Sequence, residues 1–213
     1  GRIIAVKGDI GSEADVGKLF KTAEDKFGAV QAVVHCAAPN PIPQAFDSLD
    51  WQTFQKHIDT QIQGAFHCAK YALPKMTASG MGAFVFLSSI FADGIPPSQQ
   101  TAYVTVKAGL AAMARALAVE YGPKGIRVNV VNPDAVLRGS KIWEGDWLEQ
   151  RAGTYGTDKE GLEEMYRQRS MLKRSVLPED IAEAAYFFAA DISAKSTGNI
   201  INVDAGNVQA FTR

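Results

Sequence analysis

Tyr103 and Lys107 stand four positions apart in a helix-patterned run, 99–121, and Ser89 follows the strand-like stretch 83–87. Helical spacing puts the phenol and the ammonium on one face, a turn apart, with a hydroxyl able to converge on them from a strand end. A phenol titrates near pH ~10 in isolation, and a neighbouring cation favours its anion. Lys107 is therefore expected to draw Tyr103 toward the working range of a general acid or base. A Tyr and a Lys at this spacing also meet by chance on many helices, and a serine at a strand end can be a simple turn cap. The surrounding sequence has to decide.

The elements around these residues alternate. Ile3 to Val6 reads as a short strand, and Ser12 with Asp15 opens an amphipathic helix whose face carries Val16, Leu19, Phe20, Ala23 and Phe27, ended by Gly28. Residues 30–35 read as a buried strand, and Pro39, Pro41 and Pro43 impose an extended loop. Helices are predicted over 49–57 and 58–77, a strand over 83–87, the Tyr103 helix over 99–121 ended by Gly122-Pro123, and a strand over 126–131. An irregular segment, 132–175, separates these from a helix over 178–190 and a last strand over 199–203. Alternating strands and helices mean a parallel sheet covered on both faces.

The chain has 213 residues with 46% hydrophobic, the size and composition of one large domain with a substantial core. Lys and Arg number 22 against 23 Asp and Glu, so the charge balance offers nothing to a polyanion, and nucleic-acid binding has no electrostatic support. Two cysteines, Cys36 and Cys68, are too few for a disulfide framework and point to a reducing, cytoplasmic setting. The apolar runs fall short of the ~20 residues of a membrane span, and the first residues do not read as a signal peptide. No metal-ligand pattern stands out, and no metal is expected.

The stretches Ser88-Ser89-Ile90, Ala102-Tyr103-Val104-Thr105-Val106-Lys107-Ala108-Gly109-Leu110 and Arg127-Val128-Asn129-Val130-Val131-Asn132-Pro133 closely resemble the short-chain dehydrogenase/reductase family. The likeness runs from Gly8-Asp9-Ile10 to Ile201-Asn202-Val203-Asp204-Ala205-Gly206. It implies an α/β, Rossmann-like, doubly wound parallel sheet. No Gly-rich strand-to-helix turn of the kind that cradles a dinucleotide pyrophosphate occurs near the start. The sequence therefore reads as beginning at the family's third strand, without its first two, and Gly1 is not expected to be a natural start. Strand 3–6 would then lack a neighbour, this chain alone would hold a dinucleotide weakly, and strand 30–35 would expose an edge. Within the family, the segment 132–175, the stretch 198–207 and the ending Phe211-Thr212-Arg213 resemble the dehydrogenase half of bifunctional proteins that carry a rhamnulose-1-phosphate aldolase ahead of it.

The resemblance implies hydride exchange between a nicotinamide cofactor, NAD by subgroup with NADP not excluded, and a small alcohol or aldehyde. It makes Tyr103 the proton donor or acceptor, Lys107 the residue holding the nicotinamide ribose and Ser89 the partner of the substrate oxygen. Gln61 falls where the family has an Asn that supports a water chain from the lysine. Asp9 and Ile10 match positions facing adenine. Cys36-Ala37-Ala38 stands for the usual Asn-Ala-Gly, and Pro133 and Val136 belong to a turn that contacts the carboxamide. Cys36, Gln61, Asp134 and Arg138 depart from the family pattern. The first three of these departures keep a second reading open, a catalytically silent module serving assembly. A homo-oligomer joined through helices 58–77 and 99–121 is also implied, with Ala108, Ala111, Ala112 and Ala118 permitting close approach. Residues 138–175 are expected to form a substrate lid, mixing Trp143, Trp147, Tyr155, Met165 and Tyr166 with Arg138, Lys141, Arg151, Arg167 and Arg169.

Overall fold

A computed structural model describes residues 3–140, 143 and 146–210. The expectations that fall on Gly1, Lys141 and 211–213 lie outside the described residues. In chain order the elements are α1 (Glu13–Phe27), β1 (Ala32–His35), α2 (Trp51–His57), a π-helical turn (Ile58–Gln63), α3 (Gly64–Ser79), β2 (Gly82–Leu87) and α4 (Thr101–Tyr121). β3 (Ile126–Pro133), α5 (Asp146–Thr154), α6 (Lys159–Arg169), α7 (Pro178–Ala189) and β4 (Ile200–Val203) complete the chain. The four strands pair in the order β1-β2-β3-β4, all parallel, with Ala32 opposite Ala83, Gly82 opposite Ile126 and Val130 opposite Ile200.

The side-chain period of two sorts the central strands onto two cores. Phe84 and Phe86 of β2, with Val128 and Val130 of β3, face α1, α3 and α4. Val85, Leu87 and Val131 face the opposite way, onto Ala185 and Phe188 of α7. Burial on both faces is why β2 reads as a continuous apolar run. Arg127 ties the second layer down, donating to the Phe188 carbonyl and Ser193 Oγ, each at 2.6 Å, and to the Ala190 carbonyl at 3.1 Å, so that a cation satisfies the end of α7.

Local chemistry sets the boundaries. Ser12 caps α1, accepting from Asp15 N at 3.3 Å, and Gly28 ends it at φ 85°. The turn from α4 into β3 needs Gly125, whose φ is 80° and where an added Cβ would lie 2.1 Å from the Gly80 carbonyl oxygen.

Three expectations change. Residues 3–6 form no strand, because no described strand lies beside them and an unpaired extended segment gains no ladder hydrogen bonds. The irregular stretch 132–175 contains α5 and α6, which bury Leu148, Ala152, Leu162 and Tyr166 against one another. α4 continues through the turn to Lys124 as a segment long and apolar enough by composition to cross a membrane. It is instead a core helix, with Val106, Leu110, Ala111, Ala114 and Ala118 buried in the chain.

Candidate active site

β1, β2 and β3 all end on one side of the sheet, where parallel α/β folds open their ligand crevice. A cavity of about 340 Å³ lies there, and Ser89, Tyr103, Lys107, Pro133 and Val136 all line it. Cys36 and Ala38 line it as well. Cys36 also borders a second groove, of about 390 Å³, which includes Ile10 and Ala37 and follows the outer side of β1. The cofactor candidates thus fall on two adjoining depressions that meet at Cys36. Asp9 lines neither; its carboxylate accepts from Gly11 N at 2.9 Å and shapes the turn into α1.

The two serines separate cleanly. Ser88 Oγ donates to the Lys107 carbonyl at 2.8 Å and serves to lock β2 onto α4. Ser89 Oγ accepts from Phe91 N at 3.3 Å, which leaves its proton free for another acceptor, and it acts on the Tyr103 phenol as a hydrogen-bonding neighbour.

Lys107 is buried, and its Nζ donates to the Leu87 carbonyl at 2.8 Å, 5.6 Å from the Tyr103 ring centre. Burial lowers the ammonium pKa to about 8. The phenol departs from expectation. Burial raises the Tyr103 pKa, Ser89 opposes that rise, and the nearby Asp134 and Tyr166 add to it. With the ammonium turned to Leu87, the lysine does not draw the phenol down.

Gln61 sits in the π-helical turn, fully buried, and its Nε2 lies 3.2 Å from His57 Nδ1. It does not line the cavity, and its Oε1 has no partner among the described residues. His57 in turn meets the Tyr103 ring edge-on at 6.4 Å. The link from Gln61 therefore runs to the tyrosine through His57, rather than to the lysine. A π-turn inserts an extra residue into a helix and re-aims the side chains there, a device frequent at functional sites.

Two histidines escaped the sequence reading. His35 and His57 are both buried, and burial followed by the Lys107 charge lowers each to a pKa of about 4. The only sequence signal was His35 closing an apolar strand. Unfolded, each titrates near its ordinary 6.5. Between these values the unfolded chain binds protons that the folded chain refuses, so stability falls as pH drops from 6.5 to about 4. The loss should be at most about 3 kcal/mol per ring, and urea unfolding at stepped pH reads it. Stability that stays flat across this window would reject the neutral assignment.

Asp134, placed where the family has Gly, is no bystander. It pairs with Arg169 at 2.5 Å and accepts from Asn207 Nδ2 at 2.8 Å, and its own turn is closed by Ala135 N at 2.7 Å. Arg169 also lies over the Tyr166 ring at 3.9 Å. Trp143, Trp147, Arg151 and Tyr166 form the cavity wall contributed by residues 138–175. Among the described residues, no group of three or more His, Cys, Asp or Glu is placed to hold a metal.

Comparison with known proteins agrees with this layout. The family whose model matches residues 1–207 is described as enoyl-(acyl carrier protein) reductase. An uncharacterized oxidoreductase of Bacillus subtilis, YuxG, is 40% identical over the whole chain, which spans only 31% of that protein's length. Oxidoreductase UcpA of Escherichia coli O157:H7 is 30% identical over 97% of the chain and 76% of its own length. The structure of 3-ketoacyl-(acyl-carrier-protein) reductase from Brucella melitensis, complexed with NADH, superposes with a TM-score of 0.83 at 25% identity, covering 96% of this chain and 78% of that one. With this agreement across nearly all of its residues, and with Ser89, Tyr103 and Lys107 gathered at the ends of a parallel sheet, the chain belongs to the short-chain dehydrogenase/reductase family of oxidoreductases.

Proposed function

We propose that the chain, as part of its complete polypeptide, exchanges hydride between NAD or NADP and a small alcohol or aldehyde, with Tyr103 moving the proton. The observation that carries this reading is the convergence of Ser89, Tyr103 and Lys107 on one cavity, with Ser88 committed elsewhere. A scaffold has no need of a buried ammonium beside a phenol, which is why the silent-module reading is the weaker one.

The residues present fit the nicotinamide end of such a cofactor. An ammonium has three donors, and Lys107 spends one on the Leu87 carbonyl, leaving others for ribose hydroxyls. Pro133 and Val136 supply backbone and apolar surface beside it, and Cys36, Ala37 and Ala38 lead toward the second groove with Ile10. Bound there, the dinucleotide supplies the hydride acceptor or donor. The chain's own residues do the rest: Ser89 orients the substrate oxygen, Tyr103 gives or takes its proton, and the aromatic wall of Trp143 and Trp147 keeps water out. Gln61 positions Tyr103 through His57.

We further propose the aldolase-linked subgroup, with lactaldehyde as the first compound to assay and a cytoplasmic setting. YuxG, which is over three times the length of the match, supports an association with a further domain. The decisive experiment follows cofactor absorbance in the complete polypeptide given NAD or NADP and a panel of small alcohols and aldehydes. No turnover with any pair would refute the reading.

Assembly as a homo-oligomer through α3 and α4 is part of the proposal. Ala111 and Ala118 are consumed inside the subunit, while Phe66, Ala112 and Val119 stay exposed and free to meet a second copy. Light scattering is expected to give a mass above one subunit at micromolar concentration, and a monomer would reject it.

A further inference from the structure

Five of the eight basic residues of the 138–175 segment are the candidates for substrate contact, and the structure separates four of them. Arg138 pairs with Glu163 at 2.9 Å, Arg167 with Glu164 at 2.6 Å, and Arg169 with Asp134 at 2.5 Å. Lys141 lies outside the described residues. Arg151 differs from these. It is 6% exposed, lines the cavity with Ser89 and Tyr103, and has no carboxylate partner among the described residues.

Its neighbours hold the guanidinium without neutralising it. Nη2 donates to Tyr155 Oη at 2.8 Å, the group lies over the Tyr155 ring at 4.7 Å, and its charge works against the burial that raises the Tyr166 phenol pKa. A buried charge left unpaired is costly, and proteins rarely keep one without a counter-ion. One helical turn before it on α5, Trp147 is 8% exposed and faces the same cavity, and its indole Nε1 is buried with no hydrogen-bond partner among the described residues. Guanidinium and indole N–H groups only donate. The ligand group that meets both must therefore accept, and with no carboxylate paired to Arg151 among the described residues an anion suits it best.

Resting on the hydride-exchange reading above, we infer that Arg151 and Trp147 form a subsite for a carboxylate of the substrate, which narrows the alcohol or carbonyl compound of that reading to a hydroxy- or oxo-carboxylate and moves lactaldehyde behind such acids in the order of assay. One cation and one neutral donor match the single charge and two oxygens of a carboxylate. A phosphate monoester carries nearly twice that charge and more acceptor oxygens, and it would meet Asp134 on the same wall. Tyr166 lines the same cavity as Arg151 and Tyr103 and so joins the two halves of the site.

Binding tests this independently of turnover. In the complete polypeptide, quenching of tryptophan fluorescence is titrated with 3-hydroxybutyrate and 4-hydroxybutyrate, with their amides, and with glycerol 1-phosphate, each in the presence of NAD. At least one acid is expected to bind at least about tenfold more tightly than its amide, the scale of a charge-assisted hydrogen bond. Arg151→Met should abolish that preference while leaving amide binding within about threefold, and Arg151→Lys should keep part of it. Trp147→Phe, read by calorimetry, should weaken the acid selectively. Equal binding of acid and amide, a phosphate ester bound in preference to both acids, or an Arg151→Met variant that loses acid and amide alike would each overturn the assignment. A protein that binds acids through Arg151 but transfers no hydride would instead sink the hydride-exchange reading and leave the subsite standing.

Discussion

Tyr103→Phe in the complete polypeptide is expected to lower turnover by about 10²- to 10⁴-fold while cofactor affinity stays near that of the parent. The ring keeps its packing beside His57 and Lys107, and only the transferable proton is lost. The raised phenol pKa adds a direction to this expectation. At neutral pH Tyr103 holds its proton, which is the state that donates to a carbonyl. Reduction should then proceed at neutral pH, whereas oxidation, which needs the phenolate, should accelerate as pH rises. Steady-state rates in both directions across the pH range measure this. A Phe variant within a fewfold of the parent, or oxidation that slows toward alkaline pH, would remove Tyr103 from the proton-transfer role.

Much of this site was legible because its signals are local. The spacing of Tyr103 and Lys107 on one helix face, and the apolar run of β2 leading to Ser89, need no tertiary knowledge. The sheet class followed from the alternation of elements for the same reason. What escaped depended on partners far away in sequence. Ser89 is named over Ser88 through the resemblance, and the physical reason, the bond from Ser88 to the carbonyl of Lys107 19 positions on, shows only in the fold. The upward shift of Tyr103 comes first from burial, which only the fold supplies, while the Lys107 ammonium donates to Leu87, 20 positions back. α5 and α6 were passed over because their apolar residues are few, although Asp158 capping Gly161 N at 2.8 Å, with Leu162 and Tyr166 one turn apart, is a helix signal that could have been read. The strand expected over 3–6 failed for the opposite reason, since apolar composition makes no strand where no neighbour supplies the ladder.

Asp134→Ala is expected to destabilise the protein by about 3 kcal/mol, the scale on which removal of one member of a buried ion pair is felt. The cost arises from what is left behind. Arg169 loses its counter-ion while its Nε already lacks a partner among the described residues, and Asn207, fully buried, loses the acceptor of its amide. These contacts hold two segments to the end of β3: the end of α6, and the stretch 205–207, which receives Met171 N at Gly206 O and Leu172 N at Ala205 O, at 2.9 and 3.0 Å. Releasing them should also loosen Tyr166, which Arg169 covers, and so open the cavity wall and raise KM more than it lowers kcat. Removing the stranded cation as well separates this mechanism from a general packing defect. In the double variant Asp134→Ala with Arg169→Met, no buried charge remains unpaired, and the loss should be clearly smaller than the sum of the two single losses. Urea unfolding of the four proteins measures the coupling. Strict additivity, or a single Asp134→Ala loss below about 1 kcal/mol, would show that the pair is as weakly coupled as an exposed one. The acid that stands in the family's glycine position would then be filling space rather than fastening the wall of the site.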